Sequence, residues 1–556
     1  MIKILFKRLP IFIVLIFALL VSWPIFVPGY FSHHDDLQVM RVYEARKCIE
    51  DLQIPCRWVP DMGYGNGYPL FNYYAVSPYL LGVIFSYPLG FIVAAKLLFL
   101  IPILAGSISM FLLANEIFGK NPAILASVLY TFAPFKALDT YVRGDVAESF
   151  AMAAAPLIVY FALKLIRKKT TEYVIGLVLS LAIFLISHNI MTVLFAPVIF
   201  LLVIYYLFQK KWKNFLPLIF SVLLGIGLAS FFIFPAYFER NLVQIDNLIK
   251  LELNFRAHFV TLNQLFFSRF WGYGASTIGP NDTISFQIGW PHWWLAFASL
   301  LAFFVTITIK KRVDSLLPLI LFLIFLFSCF MTHVQSAFIW EKIEILKFVQ
   351  FPWRFLAISI FSSSLLGAYL ASILKEDYKK YFMVICIVLA VFLNFSFFKP
   401  KEFYPDMSDQ KKLSGFLWED QQKAAILDYL PQTAVQPRER APDKPIIRSG
   451  NAASEPLENR SNRWQFKIKV LDKAMVEVPV FDFPVWKVWV NGEETSFSNK
   501  NYPGRISLNF DKPGNYLVSG KFTDTPVRQM SNIATFLSII VLSGIVLYGK
   551  VKKNLS

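Results

Sequence analysis

Two short polar stretches of a largely apolar chain set acidic residues close together. His33-His34-Asp35-Asp36 follows directly on an apolar run, and Arg143-Gly144-Asp145-Val146-Ala147-Glu148 sets two carboxylates beside an arginine. A carboxylate at a membrane surface can deprotonate an acceptor or hold a divalent metal. The i, i+3 spacing of Asp145 and Glu148 puts them on one face if a helix starts there, and hard oxygen ligands of this kind suit Mg2+ or Mn2+. Each cluster also has a plainer account. Residues 37–52 place apolar side chains at 37, 40, 45, 48, 49 and 52, so Asp35 or Asp36 could simply cap an amphipathic helix, and from these residues alone the cap is the simpler reading. Asp145 and Glu148 would be stabilised by the dipole of a helix N-terminus whatever else they do.

Fainter candidates lie elsewhere. His188, in Ser187-His188-Asn189, could be a base or ligand, although a lone histidine at a helix end is more often a satisfied polar cap. Arg354, in Phe351-Pro352-Trp353-Arg354, could clamp a lipid phosphate with its planar fork or act as an ordinary interface anchor. Arg256, His258 and Arg269 offer similar, weaker possibilities. The stretch from Arg57-Trp58 through Gly63-Tyr64-Gly65-Asn66-Gly67-Tyr68-Pro69 is rich in Gly and Tyr but lacks the spacing and lysine of a nucleotide loop. Its rings could stack on sugars or pack on headgroups.

The elements that carry these residues are membrane helices. Of 556 residues, 56% are hydrophobic and only 16% charged, too little polar surface to coat soluble domains of that size. The 57 Phe, 13 Trp and 24 Tyr suit helices in hydrocarbon with aromatic belts. The formal charge of +17 is not a nucleic-acid signal, because Lys and Arg occur in short clusters between apolar runs. Cys329 and Cys386 fall inside such runs as small core residues, whereas Cys48 and Cys56 could close the first polar loop if it faces an oxidising compartment.

The basic clusters set the topology. Lys120, 167–169, 210–213, 310–312, 375–380 and 550–553 share one side only if residues 73–89 do not cross and instead lie along the outer surface. The expected spans are 9–27, 92–117, 122–138, 147–166, 173–187, 190–208, 215–235, 291–309, 315–333, 351–374, 381–398 and 531–549, about twelve helices with both termini cytoplasmic. A membrane body over 1–398 then carries a long first outer loop, 29–91, and residues 399–530 form an extracytoplasmic domain before the last helix and basic tail, 531–556. Period-two runs at 464–470, 474–480, 485–490, 506–510 and 515–522, with a turn at Asn491-Gly492, predict a small antiparallel sandwich over about 462–523. Residues 431–463 read as irregular.

Taken together, His34-Asp35, Arg57-Trp58, Gly65, Tyr68-Pro69-Leu70-Phe71, Arg143-Gly144 with Glu148, Ser187-His188-Asn189 and Phe351-Pro352-Trp353-Arg354 resemble the membrane protein family labelled 6-pyruvoyl-tetrahydropterin synthase-related. The likeness runs over about residues 25–360 and implies no pterin chemistry. That family is in turn similar to the GT-C class of polyprenyl-phosphate-dependent glycosyltransferases, whose first outer loop carries an acidic catalytic residue. The resemblance implies an all-α, GT-C-like polytopic body and a transferase of the plasma membrane, active on the extracytoplasmic side, that moves a sugar from a polyprenyl-phosphate donor to a glycan or protein acceptor. Asp35, with Asp36 as neighbour or substitute, would be the base. Asp145 and Glu148 would position metal or donor, Arg143, Arg354 and His188 would meet the phosphate, and Arg57, Trp58 and Tyr68 would belong to a substrate loop. The alternative is a non-catalytic transporter or assembly factor for lipid-linked glycans or surface polysaccharide, for which the outer acids serve folding or binding alone. Sparse charge in the middle of the spans argues against ion coupling.

Overall fold

The computed structural model describes residues 2–250, 253–277, 281–310 and 315–554. Lys311 and Arg312, two of the basic residues used above for topology, lie outside them. Among the described residues, eight helices are long and apolar enough to cross a membrane: Phe91–Phe118, Val146–Arg167, Asn189–Gln209, Phe215–Phe238, Trp290–Ile309, Pro352–Ile373, Glu376–Phe397 and Pro526–Val551. Leu317–Thr332 continues into Val334–Lys342 through a bend of 93°, and Leu9–Val21 and Thr171–Ser187 are apolar but shorter. The expected span at 122–138 is interrupted. Helix Lys120–Thr131 stops, and Ala133 is extended before Pro134 because a residue preceding proline is pushed out of the helical region. Residues 73–89 contain helix Ser77–Leu89, 13 residues long, which at about 20 Å is too short for a hydrocarbon core of roughly 30 Å.

Val146–Arg167 and Pro352–Ile373 form the centre of the bundle, with 72% and 83% of their apolar windows buried. Ala147, Ala151, Ala153, Ala154 and Ala155 are buried on the first of these helices, and such small side chains let helix backbones approach closely. Helix Pro526–Val551, by contrast, is 6% buried. It docks on Phe215–Phe238 through Thr535, whose hydroxyl donates to the Gly227 carbonyl at 3.1 Å and accepts from the Phe231 N–H at 3.0 Å.

At the end of the bundle where Val146–Arg167 begins, β1 (Tyr30–Phe31) pairs antiparallel with β2 (Phe403–Tyr404). Beyond them β3 (Ile446–Arg460), β4 (Arg463–Phe481), β5 (Trp486–Val490), β6 (Glu493–Thr495), β7 (Arg505–Phe510) and β8 (Gly514–Phe522) form one antiparallel sheet. Where a sandwich is expected, the six strands join in one sheet. The first half of β4, from Arg463 to Val470, pairs with β8, and its second half, from Ala474, pairs with β7. Exposed Leu471, Asp472 and Lys473 lie at the change of partner. Asn491 and Gly492 both have positive φ, as the tight turn joining β5 to β6 requires. β3 falls in the segment expected to be irregular. Its side chains are largely exposed on both faces, so it has no apolar alternation to read, and its backbone is ordered by pairing along β4.

The inner face of β4 buries Trp464, Phe466, Ile468 and Val470 in one core with Trp58 of the first loop. Cys48 and Cys56 form a disulfide within that loop. Asp51 holds the tip of the β3–β4 hairpin against the loop, accepting from the Ser461 N–H at 2.6 Å and from Arg460 at 3.0 Å.

Candidate active site

The chain enters the site through the buried turn Leu138–Arg143 and reverses at Gly144. Gly144 has φ +73, and a Cβ there would lie 2.5 Å from Nδ1 of His33, so glycine is required. Asp145 then caps helix Val146–Arg167 by accepting from the Glu148 N–H at 2.9 Å, as its position predicts. Arg143 donates to Asp139, to Glu148 at 2.8 Å and to Asp145 at 2.9 Å. Arg354, just ahead of helix Leu356–Ile373, donates from Nε to Glu148 Oε2 at 3.2 Å, and its Nη2 lies 3.7 Å from Asp145. The two most buried helices therefore meet through oppositely charged residues at their first turns. A cation at a helix N-terminus is normally unfavourable, and the acids of the neighbouring helix offset it.

Burial would by itself raise the Asp145 carboxyl, but Arg143 above all, with His188 and Arg354, holds it below the ordinary carboxylate range. His188 sits between helices Thr171–Ser187 and Asn189–Gln209, and its Nδ1 accepts from the Met191 N–H at 3.1 Å. Burial pushes its pKa down to about 4 against the pull of Asp145, so the ring is neutral at pH 7. With Nδ1 as acceptor, the proton must sit on Nε2.

Asp35 is joined to this network through the backbone. The His34 N–H donates to the Val142 carbonyl and the Asp35 N–H to that of Arg143, both at 2.9 Å. Gln38 donates to the Gly144 carbonyl at 2.9 Å and to Asp35 Oδ2 at 3.1 Å. Arg41 donates to the same Oδ2 at 2.6 Å while its guanidinium rests 4.3 Å from the centre of the Tyr74 ring. The helix that follows starts at Gln38 with Leu37 at its cap and no side-chain cap bond. Neither Asp35 nor Asp36 is the cap.

A cavity of about 580 Å³ opens between these groups, bounded by Asp35 and Arg41, by Arg143, Asp145, His188 and Arg354, and by Asp428 and Tyr429 from beyond the membrane helices. Ile190, Ala236, Leu248, Leu253 and Phe348 give it an apolar side. Residues 71–399 match the model of the 6-pyruvoyl-tetrahydropterin synthase related domain, described as a membrane protein. The chain belongs to that family. The matched region holds Arg143, Asp145, His188 and Arg354 but neither Asp35 nor Asp428.

No curated protein matches the sequence of this family member. Among solved structures it is similar to the archaeal oligosaccharyltransferase AglB from Archaeoglobus fulgidus, in complex with an inhibitory peptide and a dolichol-phosphate, at 12% identity and a TM-score of 0.38 over 71% of this chain and 56% of that one. It is also similar to the arabinofuranosyltransferase AftD from Mycobacteria, at 11% identity and a TM-score of 0.44 over 72% of this chain and 28% of that one. This chain thus spans about half the length of the first and little more than a quarter of the second. Likeness at these scores is too loose to transfer residues or activity.

Several expected site residues of the family member lie elsewhere. Asp36 turns to Lys412 at 2.6 Å and is not part of the cavity wall. Trp58 is 1% exposed and packs against Phe483, Trp486 and Phe522. Arg57 donates to Asn72 and Asn532, and the Tyr68 hydroxyl donates to the Ala425 carbonyl. These three brace the first loop against the later segments and do not line the cavity. Glu148 is fully buried behind Arg143 and Arg354. Arg41, Tyr73, Tyr74, Asp428 and Tyr429 line the cavity without having stood out in the sequence. They belong to no local motif, and separate segments bring them together.

Proposed function

We propose that this family member is a membrane transferase that moves a sugar from a polyprenyl-phosphate donor to an acceptor outside the plasma membrane. The observation that carries the reading is one cavity lined by Arg354 and His188, by Asp35, and by an apolar side. Ile190 and Ala236 of that side lie near the ends of two helices long enough to cross the membrane, where a lipid tail can reach the cavity without leaving an apolar environment. Arg354 Nη2 and the Nε2–H of His188 would meet the charge that develops on the leaving phosphate. Asp35 Oδ2 is committed to Arg41 and Gln38, which leaves Oδ1 to hold and orient the acceptor by a hydrogen bond. The β-sheet segment would brace the first loop and so hold Asp35 in place.

Mg2+ or Mn2+ fits the acidic cluster poorly. Donor atoms of Asp145, Glu148 and His188 lie within 4.8 Å of one another, but the two guanidiniums already approach the carboxylates that would have to supply the ligands of a dication. The His188 nitrogen that faces Asp145 carries the ring proton and cannot ligate. Asp145 and Glu148 are read accordingly as the groups that hold Arg143 and Arg354, and no step is assigned to a metal.

The test is the mass of cell-surface glycan in a deletion strain complemented with wild type, Asp35→Asn or Arg354→Lys. Loss of a sugar that wild type alone restores supports transfer. Full restoration by both variants at wild-type abundance would sink it.

A further inference from the structure

The turn from Ala425 to Tyr429 reaches into the cavity from outside the matched family region, and it is clamped there. Ala425 has φ +56, and its carbonyl accepts from both the Tyr68 hydroxyl at 2.8 Å and the Asp428 N–H at 3.1 Å. The Tyr429 N–H donates to the same Tyr68 hydroxyl at 2.6 Å. The Tyr429 ring stacks on Tyr73 with centroids 5.5 Å apart and planes at 21°, and the Gln244 N–H donates to the Leu430 carbonyl at 2.9 Å. One internal bond and four contacts to two other loops fix a short turn whose one acidic side chain, Asp428, lines the cavity with Asp35 and Arg41. Arg41 and Asp35 from the first loop, with Tyr68 and Tyr429, are the titratable groups whose charges bear on it.

Asp35 and Asp428 differ in what they have free. Asp35 has given one oxygen to Arg41 and Gln38, whereas among the described residues no side chain or backbone N–H donates to the Asp428 carboxylate. Resting on the transferase reading, the geometry points to Asp428 as the catalytic residue that takes the acceptor proton, with Asp35 and Arg41 orienting a hydroxyl acceptor between them. In the step, the acceptor O–H proton passes to an Asp428 oxygen while the acceptor oxygen bonds to the anomeric carbon. The bond from that carbon to the lipid phosphate breaks, and its electron pair leaves with the phosphate oxygen. Asp428 then returns the proton to water. Loss of water around the Asp428 carboxyl, with Arg41 opposing it and Asp35 reinforcing it, lifts the pKa to about 7, where a base balances ionisation against proton affinity near neutral pH.

The experiment follows incorporation of labelled sugar into surface glycan by permeabilised membranes of the deletion strain, which supply their own lipid-linked donors, between pH 5.5 and 8.5 on the order of half-unit steps. Wild type, Asp428→Asn, Asp428→Glu and Asp35→Asn are compared at equal abundance. The wild-type rate rises as pH passes through about 7. Asp428→Asn falls by about a hundredfold or more and loses that dependence, and Asp428→Glu keeps activity with a displaced midpoint. If Asp428→Asn stays within about threefold of wild type with its pH profile intact while Asp35→Asn is inactive, Asp428 is overturned and the transferase reading stands. Should Asp428→Asn fail to accumulate, an unshifted Asp428→Glu profile overturns the proposal equally. If deletion leaves the glycan unchanged, transfer and the role of Asp428 fall together.

Discussion

The backbone N–H of Asp35 donates to the carbonyl of Arg143 at 2.9 Å, so the acid of the first loop is positioned by the residue that ties the second acidic cluster together. Any change that lets the turn at 138–143 relax must therefore move Asp35 as well. The cavity is built from this coupling as much as from the side chains that face it.

Arg143 is buried among Asp139, Asp145 and Glu148. Removing the guanidinium leaves those carboxylates without their shared partner, and breaking a buried ion pair in this way costs about 3–5 kcal/mol. Arg143→Gln is expected to lower the melting temperature or abundance of the purified protein sharply. Arg143→Lys should rescue only part of the loss, because an ammonium cannot match the fork that reaches several acids at once. A melting temperature unchanged in Arg143→Gln would show that the network carries no stability.

If guanidiniums occupy the place of a cation, divalent metal should not bind there with consequence. A ligand selective for the folded state raises stability by mass action. Neither Mn2+ nor a chelator is expected to move the melting temperature of the detergent-solubilised protein, and Asp145→Asn should not change that indifference. A rise with Mn2+ that Asp145→Asn abolishes would restore the metal reading.

Trp58 serves packing between the first loop and the β-sheet. Trp58→Ala is expected to cost about 3–5 kcal/mol, whereas Trp58→Phe keeps most of the ring contacts and should complement the deletion strain fully at normal abundance. A Trp58→Phe protein that is stable yet inactive would return Trp58 to the substrate loop.

His188 gives a pH dependence with a definite sign. Its folded pKa of about 4 lies below the ordinary 6.5, so between those values the unfolded chain binds a proton that the folded one refuses. The stability of the neutral buried ring is complete above pH 6.5 and is lost as pH falls towards 4. The melting temperature of wild type should drop more steeply across that window than that of His188→Gln, whose amide can still accept from the Met191 N–H. Parallel slopes would place the titration elsewhere.

Membrane character, the cytoplasmic or outer assignment of each loop as an expectation, and the strands with apolar alternation all follow from patterns a few residues long. Lipid solvent and sheet pleat act locally, so residues near one another in sequence report on them. The failures have the same explanation. β3 has little apolar pattern because its partner, β4, supplies the order. The span at 122–138 read as continuous because hydropathy does not weigh the backbone restriction imposed by Pro134.

The sequence by itself determined that Asp35, Arg143, Asp145, His188 and Arg354 stand at helix ends or in the loops between helices, and all five do share one cavity. It did not separate Asp35 from Asp36. Tertiary structure did, by offering Arg41 to one and Lys412 to the other. It could not reveal Asp428, which lies 393 positions after Asp35 in the numbering and reaches the cavity only because Tyr68 and Tyr73 grip its turn. A motif records neighbours along the chain. The charge, burial and free lone pairs that decide which carboxylate can take a proton depend on neighbours in space.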